Sequence, residues 1–338
     1  MLNWMKDNED DLILSSRVRL ARNIQGIPFP NRLNNEGAKE VIKKVEEGFY
    51  NSIVGKEDFN TNYLWENTKN ENVSLLERHL ISMNLMNTPE KSAFICNKDE
   101  TTSIMINEED HIRFQAIDGG LNIREAYKNI SKMDDLLEEA IDFSFDENLG
   151  YITCCPTNLG TAMRASVMVH LPALSLNNEI NNIFKALTQV GMTIRGLYGE
   201  GSKGEGNIYQ ISNQITLGVS EEDIINNIEA ITSQLVNQEK ELRERMMSSY
   251  KNELEDKIYR SLGILQNSRI LNTKEALDMM SNVRMGVEMG IIKDIQKSTL
   301  NELLISIQPA TLQIAIEREL TSKERDIERA RIVRETLR

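Results

Sequence analysis

The sequence predicts an α+β protein in which a mixed part of strands and helices is followed by a smaller all-α part. Apolar stripes at helical spacing occur along the whole chain, and from about residue 238 they continue without intervening strands. We therefore expect one domain over 11–240 and a helical domain over 241–338. Short apolar runs bounded by turn residues predict strands in the first domain, among them 93–96, 103–106 and 208–217.

Composition narrows the possible functions. Among 338 residues, 52 Asp and Glu outnumber 39 Lys and Arg, which argues against general affinity for nucleic acid or an anionic membrane. Three cysteines, two of them adjacent, form no disulfide framework, and three scattered histidines predict no zinc site. The chain start lacks a basic leader, and no segment has the apolar length to span a bilayer. A cytoplasmic protein is expected.

The first chemical feature is the segment 15–19, Ser-Ser-Arg-Val-Arg, which continues a short strand that starts at Leu12. Strand alternation places Arg17 and Arg19 on one face of the extended chain. Two guanidinium groups beside two hydroxyls make a clamp for phosphate oxygens. An edge strand with solvated arginines is the ordinary alternative, and for this segment alone it is favoured.

Helical periodicity accounts for much of the chain between the strands. A lone histidine such as His79, inside a helical segment, is more often structural than a ligand contact. Helices are expected at 35–52, 75–85, 121–145 and 175–190, with a loop or short helix over 54–72, and in the last domain at 239–257, 273–289 and 291–307.

Three consecutive carboxylates, Glu108, Glu109 and Asp110, follow the strand at 103–106. Adjacent carboxylates repel one another and cost stability unless a cation lies between them. This arrangement indicates a binding site, although an acidic turn in an acidic protein is the ordinary alternative.

The stretch 153–172 combines a strand-like lead-in, two cysteines, a Pro-Thr-Asn-Leu-Gly turn and a second apolar run. Such a turn presents a thiol and backbone N–H groups at one edge of a sheet. Arg164 follows closely, and a nearby cation favours the thiolate form of whichever cysteine faces it. A buried structural cysteine beside a β-turn fits this stretch equally well.

A glycine-rich run over 196–204 follows a short strand that ends near Arg195. Its glycines allow the backbone to close over a ligand, and Glu200 within it offers a carboxylate. The run matches neither the dinucleotide fingerprint nor the P-loop pattern, so alone it is weak evidence for phosphate binding.

Four segments, in this order and at similar separations, resemble motifs of the guanidino kinases, the creatine and arginine kinase family: SSRVR at 15–19, NEEDHIR at 107–113, CPTNLGTAMRASV at 155–167 and RGLYGE at 195–200. The family's metabolite kinases carry a helical domain of about a hundred residues before the first motif, as a small separate domain would. Here only fourteen residues precede it, and Met168 stands where a histidine is usual. Both features resemble the bacterial protein arginine kinase branch. The resemblance extends from about residue 11 to the end and implies an antiparallel sheet flanked by helices.

The resemblance implies ATP and Mg²⁺ as cofactors, with the metal bound through ATP and without a direct protein ligand. Glu109 and Glu200 would grip the acceptor guanidinium, one of them also taking its proton, and Cys155 would contact the same group. Leu197 replaces a threonine and Ala162 a glycine of the family pattern. The nucleotide-binding residues carried over are Ser15, Ser16, Arg17, Val18, Arg19, His79, Arg113, Arg164, Ala165, Ser166, Val167, Met168, Arg195, Gly196, Leu197, Tyr198, Gly199 and Glu200.

The chain end, 325–330, resembles the RDxxRA motif of the same branch. The resemblance implies a phosphoarginine pocket formed by Arg325, Asp326, Arg329 and Ala330. A terminal helix with i,i+4 ion pairs explains the charge pattern equally well.

The predicted function is that of an ATP-dependent protein arginine kinase that marks proteins for regulated degradation or inactivates a stress repressor. The resemblance further implies protein substrates with exposed arginine, an activator protein, a heat-shock repressor and a Clp-type unfoldase-protease as partners. A homodimer formed through the helical domain is expected. Two alternatives stay open, a kinase for a free guanidino metabolite such as arginine and a non-catalytic phosphoarginine-binding adaptor.

Overall fold

The computed structural model describes residues 12–52, 56–196 and 204–338. The strands are β1 Ile13–Arg22, β2 Phe59–Tyr63, β3 Ala93–Asn97, β4 Thr102–Ile106, β5 Ile112–Gly119, β6 Phe145–Asp146, β7 Gly150–Tyr151, β8 Met163–His170, β9 Met192–Gly196 and β10 Ile208–Asn213. The helices are α1 Asn35–Ser52, α2 Lys69–Glu77, α3 Met83–Met86, α4 Ile123–Glu138, α5 Pro172–Leu176, α6 Ile180–Gln189, α7 Glu221–Ser249, α8 Lys251–Asn267, α9 Thr273–Glu288, α10 Lys297–Ser306, α11 Pro309–Ile316 and α12 Ser322–Thr336.

One sheet organises the first two thirds of the chain. Its eight strands lie in the order β2-β3-β4-β5-β1-β8-β10-β9, and every neighbouring pair is antiparallel. Strand β1 is central and pairs with β5 on one side and β8 on the other. The predicted α+β class, with an antiparallel sheet flanked by helices, is confirmed.

The two faces of the central strands differ because side chains alternate along each strand. On one face Val18, Phe114 and Val167 are buried in a core shared with α1, α4 and α7. The other face carries Arg17 and Arg19 of β1, Arg113 of β5 and Arg164 of β8, whereas Arg22 at the end of β1 lies on the core side and pairs with Asp134 of α4. One side of the sheet therefore stabilises the fold, and the other presents polar groups.

Helices α8 to α12 pack around a second core that includes Ile258, Leu277 and Leu300. The 29-residue helix α7 links the two cores: Leu242 belongs to the first, and Met246 packs against both. The boundary predicted at residue 240 lies inside this helix, and the division into 11–240 and 241–338 stays a prediction.

Several element boundaries differ from those expected. The helix predicted over 75–85 is interrupted, because α2 ends at Glu77 and α3 begins only at Met83. The region expected to be a loop or short helix contains the edge strand β2, in which Phe59, Thr61 and Tyr63 alternate with two asparagines. The helices predicted at 175–190 and 239–257 are each two helices in the structure, α5 with α6 and α7 with α8.

Across the described residues, no helix combines the length and the apolar character needed to cross a bilayer.

Candidate functional site

An arginine cluster lies on the polar face of the sheet. Arg19 of β1 is directly opposite Arg164 of β8, and Arg113 of β5 is opposite Ala21 of β1. Since cross-strand partners point to the same side and Arg17 lies two residues before Arg19, these four arginines share one face. Arg195 of β9 joins them through its position opposite Gln210 of β10. We call Arg17, Arg19, Arg113, Arg164 and Arg195 the arginine face.

Burial and mutual repulsion both disfavour the charged state of three arginines of the arginine face. Burial and then the charge of Arg113 lower the pKa of Arg17 to about 10. Burial, followed by the neighbouring guanidinium groups, lowers the pKa of Arg19 well below its ordinary value. The pKa of Arg164 is lowered by burial and by Arg195 and Arg113. An anionic ligand would relieve this crowding of positive charge.

Among the residues that the structure describes, Glu108 is the carboxylate that pairs with Arg113 of the arginine face. Arg113 Nη1 donates to Glu108 Oε1 at 2.6 Å, and the Ser82 hydroxyl donates to the same oxygen at 2.6 Å. Burial alone would raise the pKa of Glu108, but Arg113 and these hydrogen bonds outweigh burial and lower it. Arg17 Nη2 donates instead to the neutral amide oxygen of Gln210 at 2.6 Å. Within the described residues, the buried Nε of Arg19 has no hydrogen-bond partner.

A small pocket opens beside Arg17 and is lined in part by Ser15, His79, Ser166 and Met168. His79 adopts a left-handed backbone conformation with φ 62°, and its carbonyl accepts a hydrogen bond from Gln115 Nε2 at 2.8 Å. Burial, and then the charge of Arg17, lowers the pKa of His79 to about 3, so its imidazole is neutral near pH 7. The pocket thus adds neutral groups at the border of the arginine face.

The acidic turn and the cysteine loop are tied together next to Arg164. Asp110 Oδ1 accepts hydrogen bonds from the backbone N–H of Cys154 at 2.7 Å and from Asn23 Nδ2 at 2.6 Å. The thiol of Cys155 lies 3.0 Å from Thr157 Oγ1. Burial lowers the pKa of Arg164, and the negative charge of Glu109 partly opposes this effect.

Glu109 is the carboxylate of this turn that is suited to accept a proton. Burial, and then the charges of Asp110 and Glu108, raise its pKa, while Arg113 and Arg164 partly oppose the rise. A raised pKa brings a carboxylate closer to the operating pH, where it is a more effective base. Glu108, which is paired with Arg113, serves as a counterion instead.

Not every residue of the nucleotide-binding set reaches the arginine face with its side chain. Val18, Ala165 and Val167 point into the core on the opposite side of the sheet. The Ser16 hydroxyl donates to Gly120 O at 2.7 Å and accepts from Asn122 N–H at 3.0 Å. Gly196 closes β9, and four further members, Leu197, Tyr198, Gly199 and Glu200, lie outside the residues that the structure describes.

The terminal motif is largely occupied by contacts inside the helical part. Arg329 is 1% exposed, and its Nε and Nη1 donate to Ile307 O and Leu271 O, each at 2.8 Å. Asp326 Oδ1 accepts a further bond from Arg329 Nη1 at 2.6 Å, and Ala330 is fully buried. Arg325, which is half-buried, donates to Leu320 O at 2.9 Å. Only Arg325 and Asp326 are partly open to a ligand.

Gln210 of this site was not predicted from the sequence. Gln210, which binds Arg17, lies in the alternating segment 208–217, and its position opposite Arg195 follows only from strand pairing. Glu108 and Asp110 were seen as part of an acidic run, but their separate partners depend on residues distant in sequence. No group of three or more His, Cys, Asp and Glu side chains that could hold a metal occurs in the described ranges.

Comparison with protein-family models shows the family to which the chain belongs. The model of the ATP:guanido phosphotransferase C-terminal catalytic domain matches residues 40–242. The chain belongs to the ATP:guanido phosphotransferase family. The model described as the protein-arginine kinase McsB C-terminal domain matches residues 251–338.

Individual members of this family support the assignment. The protein-arginine kinase of Clostridium acetobutylicum is 56% identical over 100% of both chains. The protein-arginine kinase of Clostridium kluyveri is 57% identical over 100% of this chain and 99% of that one. The crystal structure of a lombricine kinase aligns with a TM-score of 0.60 at 25% identity, covering 69% of this chain and 68% of the other. The phosphotransferase fold and the helical C-terminal part are thus both found in relatives.

Proposed function

We propose that the protein is an ATP-dependent protein arginine kinase that transfers the γ-phosphoryl group of ATP to arginine side chains of proteins. The observation that carries the proposal is the junction of the arginine face with Glu109 and Cys155, formed where Asp110 binds the Cys154 backbone. The relatives named protein-arginine kinase, which match over the whole chain, support the same function.

The arginine face would bind the phosphates of ATP. Burial and neighbouring guanidinium groups lower the pKa of Arg17, Arg19 and Arg164, and the buried Nε of Arg19 lacks a partner among the described residues, so the face fits a polyanion. Mg²⁺, which would enter with the nucleotide, would help to neutralise the phosphate charge. We assign no protein side chain as a direct ligand of the metal. His79, Ser15 and Met168 border the same face and would contact the rest of the nucleotide.

Glu109 and Cys155 would hold the acceptor guanidinium, together with Glu200. A guanidinium nitrogen becomes a nucleophile only when its proton can leave, because its lone pair is delocalised and its pKa exceeds about 12. In the proposed reaction that nitrogen forms a bond to the γ-phosphorus while the bond to the β,γ-bridging oxygen breaks and ADP leaves. The proton passes to a carboxylate, for which Glu109 is suited because its pKa is raised.

Several finer assignments complete the proposal. Protein substrates with exposed arginines, an activator protein, a heat-shock repressor and a Clp-type unfoldase-protease are the proposed partners, in a cytoplasmic setting. The helical part would form a homodimer and would bind phosphoarginine near Arg325 and Asp326. Phosphorylated proteins would then be degraded or, for a stress repressor, inactivated.

The test is phosphoryl transfer from labelled ATP, with Mg²⁺, to an arginine-rich unfolded protein and separately to free arginine. Acid-labile label on the protein is expected, and Glu109→Gln, Cys155→Ala and Glu200→Gln should each reduce it strongly. Cys154→Ala is the matched control, because only the backbone of Cys154 joins the site. Label on free arginine alone would instead favour a metabolite kinase.

A further inference from the structure

Helix α9 contacts the catalytic sheet through the hydroxyl of its own Ser281, which lies next to the start of β10. The Ser281 Oγ of α9 accepts a hydrogen bond from Asn207 Nδ2 at 2.8 Å and lies 2.9 Å from His170 Nε2. Asn207 immediately precedes β10, and His170 ends β8. One side chain of the helical part therefore holds two neighbouring strands of the sheet.

The turn before β10 depends on this contact. Gly206 and Asn207 both have left-handed backbone conformations, with φ 61° and 54°. Gly206 N–H donates to Asp278 Oδ1 of α9 at 3.4 Å, and a Cβ at Gly206 would lie 3.1 Å from Leu277 O. The turn is thus packed on α9, and a left-handed asparagine needs such fixation to hold one conformation.

A buried ion cluster fixes the proton arrangement at Ser281. His170 Nδ1 lies 3.2 Å from Glu288 Oε2, and both side chains are 0% exposed. Arg243 Nη1 and Arg284 Nε each donate to Glu288 at 2.8 Å. Glu239 accepts from Arg243 Nε at 2.7 Å, so two carboxylates balance two guanidinium groups.

Charge balance leaves His170 neutral, in agreement with its pKa, which burial lowers. Because the Glu288 carboxylate can only accept, the single imidazole proton lies on Nδ1. His170 Nε2 is then an acceptor, and the Ser281 hydroxyl donates to it while accepting from Asn207. The direction of each hydrogen bond in the series Asn207, Ser281, His170 and Glu288 is therefore fixed.

The position of Asn207 affects the arginine face, because strand β10 connects the two. Gln210 is three residues beyond Asn207, and its Oε1 accepts from Arg17 Nη2 at 2.6 Å. Gln210 also lies opposite Met168 and Arg195 in the sheet register. A shift at the start of β10 would move the group that orients Arg17.

We propose that Ser281 is a positioning residue for nucleotide binding, which it supports by fixing Asn207, and hence β10 and Gln210, behind Arg17. The inference rests on the proposed role of the arginine face in holding ATP. It makes the helical part a structural support of the nucleotide site.

The experiment measures the dissociation constant of a non-hydrolysable ATP analogue, with Mg²⁺, for the full chain. Ser281→Ala and Asn207→Gly each remove the same hydrogen bond, and glycine accommodates the left-handed backbone. Each should raise the constant by about threefold to tenfold, the effect of one hydrogen bond that holds a contacting group. Ser281→Ala also removes the hydrogen bond to His170, so the double variant should bind no more weakly than Ser281→Ala alone, because the bond to Asn207 is already lost there.

Ser261→Ala is the matched structural control. Ser261 is 3% exposed against 4% for Ser281, and its Oγ accepts from the next residue of α9, Asn282, at 3.0 Å. Ser261→Ala also leaves a buried amide, that of Asn282, unpaired, but the lost hydrogen bond joins two helices and no strand. Nucleotide affinity should therefore stay within about twofold of the native protein. An equal loss in Ser261→Ala, or unchanged affinity in Asn207→Gly and Ser281→Ala, would overturn the inference.

Arg17→Ala separates this inference from the function on which it rests. If Arg17→Ala weakens nucleotide binding and Asn207→Gly does not, the arginine face binds nucleotide without help from Ser281. If Arg17→Ala has no effect, the proposed nucleotide site itself is wrong. If Ser281→Ala does not fold, Asn207→Gly still tests the inference, because it removes the same hydrogen bond at a residue that is only half-buried.

Discussion

Asp110 accepts a hydrogen bond from the backbone N–H of Cys154 at 2.7 Å, and this bond joins the turn that carries Glu109 to the loop that carries Cys155. Asn23 strengthens the junction, because its Nδ2 donates both to Asp110 at 2.6 Å and to Ile152 O at 3.0 Å. Two proposed catalytic side chains, 46 positions apart in the printed sequence, thus depend on one carboxylate for their relative placement.

Removing the Asp110 acceptor should separate the two loops. We expect Asp110→Ala to lower kcat for protein phosphorylation by about tenfold to a hundredfold, since small displacements of reacting groups have effects of this size. Asp110→Asn keeps an oxygen that can accept from Cys154 and should stay within about threefold of the native kcat. Steady-state rates at saturating ATP and substrate test this, and equal rates for the two variants would show that the junction does not matter.

The pH dependence of kcat should report the raised pKa of Glu109. A proton acceptor works only when deprotonated, so activity should fall on acidification at a higher pH than an exposed glutamate would give. Asp110→Asn removes a negative charge that raises this pKa, and the acid limb should therefore move to lower pH. Profiles of kcat against pH for both proteins make the comparison.

Glu90→Gln, at an exposed position, is the control for a change of one charge. It should leave the acid limb in place because solvent and salt screen its charge. An acid limb that stays fixed in Asp110→Asn would mean that a group other than Glu109 controls it.

Local sequence patterns were sufficient to predict which side chains share a face of the sheet, because the face follows from strand alternation. Arg17 and Arg19 are two residues apart, and a period of two places them together whatever the strand pairs with. The different roles of Glu108 and Glu109 in the acidic turn were not predictable in this way. Glu108 becomes the counterion because Arg113 of the next strand and Ser82, 26 residues earlier, both reach it.

Tertiary contacts also explain the errors in element boundaries. Apolar periodicity continues through 75–85, yet the chain turns at His79, whose carbonyl is held by Gln115 of β5. Strand β2 alternates Phe59, Thr61 and Tyr63 with asparagines over only five residues, and its place in the sheet comes from pairing with β3. The partners of these contacts cannot be identified from the local sequence, since each lies thirty or more residues away.

Arg329 and Arg325 should respond differently to truncation, although both belong to the proposed phosphoarginine motif. Arg329→Ala leaves the carbonyls of Ile307 and Leu271 unpaired in the interior and should reduce the free energy of unfolding by about 3 kcal/mol or more. Arg325→Ala removes the same charge from a half-buried position with one backbone contact, and about 1 kcal/mol is expected.

Urea unfolding followed by circular dichroism measures both free energies, and phosphoarginine binding is then compared only for variants that remain folded. If the two variants are equally stable, the buried contacts of Arg329 do not support the fold. Loss of phosphoarginine binding in folded Arg325→Ala would support a ligand role for that residue.

Ala162 occupies a conformation that favours glycine, with φ 50°, at the junction between the cysteine loop and β8. Its carbonyl accepts from Ala21 N–H at 3.0 Å, so the backbone is fixed there by β1. Ala162→Gly should relieve about 1 kcal/mol of left-handed strain, which offsets a similar cost from the greater freedom of glycine in the unfolded chain. A net change within about 0.5 kcal/mol is expected.

Ala315→Gly provides the contrast, because Ala315 is exposed in helix α11, where no strain is relieved. That substitution should lower the free energy of unfolding by about 1 kcal/mol. Both values come from urea unfolding at one temperature. If Ala162→Gly is at least as destabilising as Ala315→Gly, the buried methyl group of Ala162, which is 4% exposed, contributes more through packing than its backbone conformation costs.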